Sequence, residues 1–124
     1  MAQRKPGASN VRDKDDRLFS ISPEGERFPI PQERDYDSEF RRIEGLVEGA
    51  RKEGMEIVVV MGVGFVGAVM AAIVADTVDS EGMPSKFVIG CQRPSHRSFW
   101  KIHLLNRGVS PVKAEDPQGY RRAL

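Results

Sequence analysis

Cysteine is almost missing from this chain: Cys91 is the only one in 124 residues. One thiol rules out an internal disulfide framework and suits a reducing cytoplasm. Histidine is nearly as scarce, with His96 and His103 alone, so the donors for a four-ligand zinc site are too few. An excess of charge is lacking too. Nineteen Lys and Arg face 18 Asp and Glu, a formal net charge of +1. That balance leaves no electrostatic footprint for nucleic acid or for an anionic membrane surface. Aromatic residues do not alternate with Lys and Arg in any stripe that would stack bases. Met1 to Asn10 contains no apolar stretch of the secretory kind. No internal repeat is visible. With 40% hydrophobic and 30% charged residues, the composition fits one small soluble domain.

Against these absences stands one concentrated signal. Ile57 to Met61 is a β-branched run, and it flows into Gly62-Val63-Gly64-Phe65-Val66-Gly67 and then an Ala-rich segment. Strand, G-x-G-x-x-G turn and helix in that order are what dinucleotide binding demands. Gly62 allows the tight turn, Gly64 lets backbone approach a pyrophosphate, and Gly67 allows close packing of helix on strand. The helix amino terminus then offers unpaired N–H groups and partial positive charge to the phosphates. The same 19 uncharged residues, Ile57 to Ala75, are just long enough to cross a bilayer. Strand-forming residues at the start, the glycine register and a second strand downstream favour the nucleotide turn over the span.

The rest of the chain arranges itself around that turn. Residues 1–34 read as a flexible tail, with Leu18 to Ile21 and Phe28 to Pro31 as two short apolar patches able to pin it down. Residues 35–124 read as the domain. Asp37 or Ser38 can cap a helix that runs to about Glu53, with Gly54 as its terminator. Phe40, Ile43, Leu46, Val47 and Ala50 form its apolar stripe, which marks an amphipathic packing helix. Strands are predicted over 56–61 and 86–91, with a nearly all-apolar helix over 65–77 between them. Pro94-Ser95 opens a last helix that ends at Asn106-Arg107-Gly108, and loop follows from Val109. The predicted fold class is therefore α/β: parallel strands joined by a crossover helix, a partial Rossmann fold behind a leading helix. Two strands make a poor sheet, so part of the apolar surface is expected to lack a cover.

In NAD-binding domains a carboxylate at the end of the second strand accepts hydrogen bonds from ribose. Cys91, Gln92 and Arg93 occupy that place here. The amide oxygen of Gln92 can still accept from a ribose hydroxyl. Without the carboxylate a 2′-phosphate is not repelled, and Arg93 can attract one, so NAD is expected and NADP stays open. Cys91 ends a buried strand away from any hydride path and reads as a small hydrophobe. His96 and His103, seven apart on the last helix, read as surface residues rather than general bases.

Val58 to Gly67, read as V-V-V-M-G-V-G-F-V-G, resembles the amino-terminal motif of the UDP-glucose/GDP-mannose dehydrogenase family of nucleotide-sugar dehydrogenases. Leu105-Asn106-Arg107-Gly108-Val109-Ser110-Pro111-Val112 is similar to the same family's L-N-x-G-x-S-P-I segment. The resemblance covers about Glu56 to Pro117. It implies NAD-dependent oxidation of the C6 alcohol of a nucleotide sugar, with Gly62, Val63, Gly64, Phe65, Val66 and Gly67 at the pyrophosphate and Gln92 at the acidic position. Glu115-Asp116-Pro117 is a shifted likeness of the family's Glu-Pro-Gly and carries no role. The resemblance also places the catalytic cysteine and lysine and the sugar-binding domain beyond Leu124, so this chain alone is expected not to complete the oxidation. Two other readings compete. One is a non-catalytic interaction module that forms a homodimer through the Phe40–Ala50 helix, and the other is a different NADP-binding protein that uses Arg93.

Overall fold

The computed structural model describes residues 17–111. These form a mixed α/β structure of three helices and two small sheets in the order β1 (Phe19–Ile21), β2 (Arg27–Pro29), α1 (Glu33–Lys52), β3 (Glu56–Met61), α2 (Phe65–Ala75), β4 (Lys86–Cys91) and α3 (Trp100–Asn106). What the sequence predicts for 1–16 and 112–124, including Glu115 to Pro117, lies outside the described residues.

β3 and β4 pair in parallel, with Ile57 opposite Phe87, Val59 opposite Ile89 and Met61 opposite Cys91. Both strands fall on the expected residues. The run Ile57–Ala75 is broken into strand, turn and helix, and among the described residues no helix is long and apolar enough to cross a membrane. α2 supplies the crossover between the parallel strands. Its small residues meet the sheet: Ala68 and Ala72 are fully buried. Its large residues Phe65, Val66, Met70 and Ile73 point outward, each at least half exposed. The expected lack of cover is therefore real, and it falls on α2 together with Val59 and Met61 of β3.

Two elements depart from the sequence expectation. β1 and β2 form an antiparallel hairpin within residues assigned to the flexible tail. Phe28 and Ile30 are buried there, and Ser20 has no exposed surface at all. The prolines at 29 and 31 hid this strand from a propensity reading, yet Pro is tolerated on the outer edge of a two-stranded ribbon. Ser20 ties the hairpin to α3: its hydroxyl donates to the His96 carbonyl at 3.0 Å and accepts the Trp100 N–H at 2.9 Å. α1 also begins earlier than Asp37. Its cap is Gln32, whose N–H donates to Asp35 Oδ2 at 2.9 Å, and Arg17 reaches the same carboxylate at 3.2 Å. Those partners, the Gln32 N–H foremost, hold the Asp35 carboxyl below its ordinary value.

α3 starts at Trp100, five residues later than Ser95. Residues 96–99 are turns instead. The hydroxyls of Ser95 and Ser98 lie 2.7 Å apart, and serine side chains that bond locally compete with the helical ladder. Gly54 and Gly108 close α1 and α3 with φ of 79° and 71°, the left-handed ending that glycine accepts most easily.

Candidate functional site

The glycine turn sits at the carboxyl end of β3, where ligands bind in parallel α/β sheets. Its three glycines do three different things. Gly62 adopts φ +88°, a left-handed conformation that turns the chain out of the strand, and its N–H donates to the Cys91 carbonyl at 2.7 Å. A Cβ at Gly67 would lie 1.7 Å from the Gly62 carbonyl oxygen, so only glycine lets α2 come this close. A Cβ at Gly64 would meet nothing within 4 Å. The space at Gly64 is open to solvent or ligand, while the space at Gly67 is filled by the turn itself.

α2 begins immediately after Gly64. The Ala68 N–H is bonded to the Gly64 carbonyl at 3.0 Å, the first bond of the helix. The N–H groups of Phe65, Val66 and Gly67 precede it and are left without a helical acceptor. No acidic residue stands in that first turn. The side chains of Phe65 and Val66 are exposed and flank these donors, whereas Val63 is buried to 1% and contributes packing. Val63 also explains Gly90 in the middle of β4. A Cβ there would come within 2.7 Å of Val63 Cγ1. The sequence carries a signal for this at Gly90, since a glycine inside a strand is the usual mark of a close approach.

Gln92 is engaged within the protein. Its Oε1 accepts the Val63 N–H at 3.1 Å, and its Nε2 donates to Ser98 Oγ at 2.9 Å. The side chain thus braces the glycine turn against the loop that leads to α3. An amide oxygen has two lone pairs, so one remains for a further donor. Gln92 and the turn are brought together; Arg93 is exposed two residues past β4. Cys91 is half-buried at the end of β4.

Gln92 and Cys91 also line a larger cleft, about 650 Å³, between the end of β4, α1, α3 and the hairpin. Pro29, Pro31, Tyr36 and Phe99 give it apolar walls. Its charged residues are already paired: Arg42 holds Glu39 at 2.7 Å and Arg17 holds Asp35. Bonding to Arg42 keeps the Glu39 carboxyl low, and the same bond raises Arg42.

The two histidines part company. His96 lies in the turn before α3 and is exposed, as expected. His103 is half-buried rather than exposed. Its ring stacks on Phe28 with centroids 4.4 Å apart and meets Phe99 edge-on at 5.4 Å. Its Nε2 is buried without a hydrogen-bond partner. Burial, reinforced by the Arg107 guanidinium, pushes the His103 pKa down and favours the neutral ring. The expected face of α3 was wrong because the hairpin, not predicted, supplies the aromatic cover. Among the described residues no cluster of His, Cys, Asp and Glu could hold a metal ion.

The apolar stripe of α1 packs through Ile43, Val47 and Ala50, whereas Phe40 and Leu46 remain exposed. Comparisons of the chain with protein-family models, with curated proteins and with solved structures give no match.

Proposed function

We infer that the chain binds a dinucleotide, NAD or NADP, through residues 62–67, as the cofactor-binding portion of a nucleotide-sugar 6-dehydrogenase. The observation that carries this reading is the division of labour among the glycines. Gly62 and Gly67 are required by the local backbone, but a side chain at Gly64 would meet nothing among the described residues. A vacant Cβ position beside unpaired helix N–H groups is what a pyrophosphate needs for close approach. The parallel β3–α2–β4 unit is consistent with one arm of a Rossmann fold. Bound there, the nicotinamide would supply a hydride acceptor. The resemblance of Leu105–Val112 to the nucleotide-sugar dehydrogenases adds the substrate class.

Gln92 tunes this site by holding the Val63 N–H and so fixing the turn. With no carboxylate at that position, a 2′-phosphate meets no like charge, and Arg93 is near in sequence to favour it.

The test is a titration of the full chain with NADH and NADPH, read by Trp100 fluorescence and by thermal shift. Binding of either nucleotide is expected, and Gly64→Val should weaken it at least tenfold while the free protein, with a poorer cap on α2, stays folded. Equal nucleotide affinity in wild type and Gly64→Val would overturn the reading.

A further inference from the structure

Charge is spread unevenly along this chain, and β4 leads into the positive part. From Gly82 to Ala114 the sequence has no Asp or Glu. The described part of that stretch holds Lys86, Arg93, Arg97, Lys101 and Arg107. Three of them are already engaged. Lys86 pairs with Glu56, Arg107 pairs with Glu26 at 2.8 Å, and the Lys101 ammonium lies over the Trp100 ring at 5.8 Å. Arg93 and Arg97 are exposed, and neither meets a carboxylate among the described residues. Asp76, Asp79 and Glu81 precede β4 and so stand at its other end, about 17 Å away along the strand. On the cleft side, Asp35 and Glu39 are held by Arg17 and Arg42. Two guanidinium groups on one short loop are thus left for an anion from outside.

The loop that carries them is fixed in place. The His96 carbonyl accepts from the Ser20 hydroxyl at 3.0 Å, and the Arg97 carbonyl accepts from Trp100 Nε1 at 2.9 Å. The Ser95 N–H donates to the Arg93 carbonyl at 2.9 Å, which folds the chain tightly around Pro94. Ser98 Oγ accepts from Gln92 Nε2 at 2.9 Å, and Gln92 Oε1 in turn accepts the Val63 N–H of the glycine turn at 3.1 Å. A single side chain therefore sets the spacing between the glycine turn and the arginine loop. The two hydroxyls add a donor. Ser95 Oγ lies 2.7 Å from Ser98 Oγ, and with Ser98 donating across that contact the Ser95 proton is left for an outside acceptor.

We propose, on the dinucleotide reading of residues 62–67, that the cofactor is NADP and that Arg93 and Arg97 hold its 2′-phosphate beside the Ser95 hydroxyl. In a doubly wound sheet the adenosine ribose lies at the end of the second strand, where an arginine accommodates a 2′-phosphate. β4 is the second strand of the parallel pair, and its end carries the neutral Gln92 in place of a carboxylate. A phosphomonoester brings about −1.5 to −2 charges at neutral pH and three acceptor oxygens, enough for two guanidinium forks and one hydroxyl. The 2′-hydroxyl of NAD brings no charge and gains far less from either arginine. Selection is electrostatic, and the brace through Gln92 lets one ligand reach both the glycine turn and the loop.

Paired titrations of the full chain with NADPH and NADH, read by Trp100 fluorescence, test this. NADPH is expected to bind at least tenfold more tightly at low ionic strength, with the ratio shrinking in about 1 M salt as the charges are screened. The double variant Arg93→Ala/Arg97→Ala should weaken NADPH at least tenfold and leave NADH within twofold. In competition, adenosine 2′,5′-bisphosphate should displace NADPH at a concentration at least tenfold below that of 5′-AMP, and inorganic phosphate at that concentration should not displace it. Three results overturn the assignment and leave the glycine-turn reading standing: NADH binding as tight as NADPH, a preference that survives loss of both arginines, or inorganic phosphate competing as well as the bisphosphate. Binding of neither nucleotide overturns both. Should the double variant not fold, the wild-type ratio and the competition decide alone.

Discussion

Gly67 and Gly64 separate stability from binding at a distance of three residues. Gly67→Ala drives a methyl into the Gly62 carbonyl and is expected to cost about 3 kcal/mol, the upper range of overpacking, as measured by urea denaturation. Gln92 offers a second contrast. Gln92→Ala leaves the Val63 N–H without its acceptor, at a cost of about 1–3 kcal/mol in the same assay. Gln92→Glu keeps that acceptor and adds the carboxylate that the second strand lacks. It should shift nucleotide preference toward NADH over NADPH by at least fivefold in paired fluorescence titrations. The turn at Gly62 and the close packing at Gly67 were legible in the sequence because motif spacing encodes backbone geometry directly. The brace made by Gln92 was not, since it depends on where the Ser95–Ser98 turn brings the Ser98 hydroxyl.

At the scale of elements, β3 and β4 could be read to the residue. Both are β-branched or apolar runs bounded by glycine or polar loops, and their pairing follows from the crossover helix between them. The hairpin could not. Its strands are three residues each, too short for periodicity, and they gain their stability from contacts made across the chain rather than from their own preferences. Ser20 carries that attachment. Ser20→Ala removes the acceptor of the buried Trp100 N–H and should cost about 1–2 kcal/mol, with a red shift of Trp100 emission as the hairpin loosens from α3. α2 reverses the usual amphipathic order: alanine and glycine meet the sheet and the large residues face out. A hydropathy reading sees that helix only as apolar all round, and the direction of the bulky side emerges once the glycine turn fixes its rotation.

Near neutral pH the described part of the molecule answers to acid through His103. Its folded pKa lies below the unfolded value of 6.5, so the unfolded chain binds the proton more tightly. The stability contributed by the neutral ring is complete above 6.5 and is lost as pH falls from there through the depressed folded value. Glu26, Glu39 and Arg107 act on the same ring, with Arg107 opposing protonation and the two glutamates favouring it. Wild type should therefore lose melting temperature as pH falls below 6.5, and His103→Phe, which keeps the stack on Phe28, should lose markedly less in the same scanning calorimetry. At lower pH the carboxylates of Asp35, Glu39 and Glu56, all held below their ordinary values, give up their share as they protonate.

The tie between Ser20 and Trp100 spans 80 residues. A ribosome adding 5–20 residues each second needs about 4–16 s to deliver the second partner after the first. Through most of that interval Phe28 has been made but its stacking partner His103 has not. Vectorial synthesis thus postpones the joining of hairpin to α3 until nearly the whole of the described structure has been made.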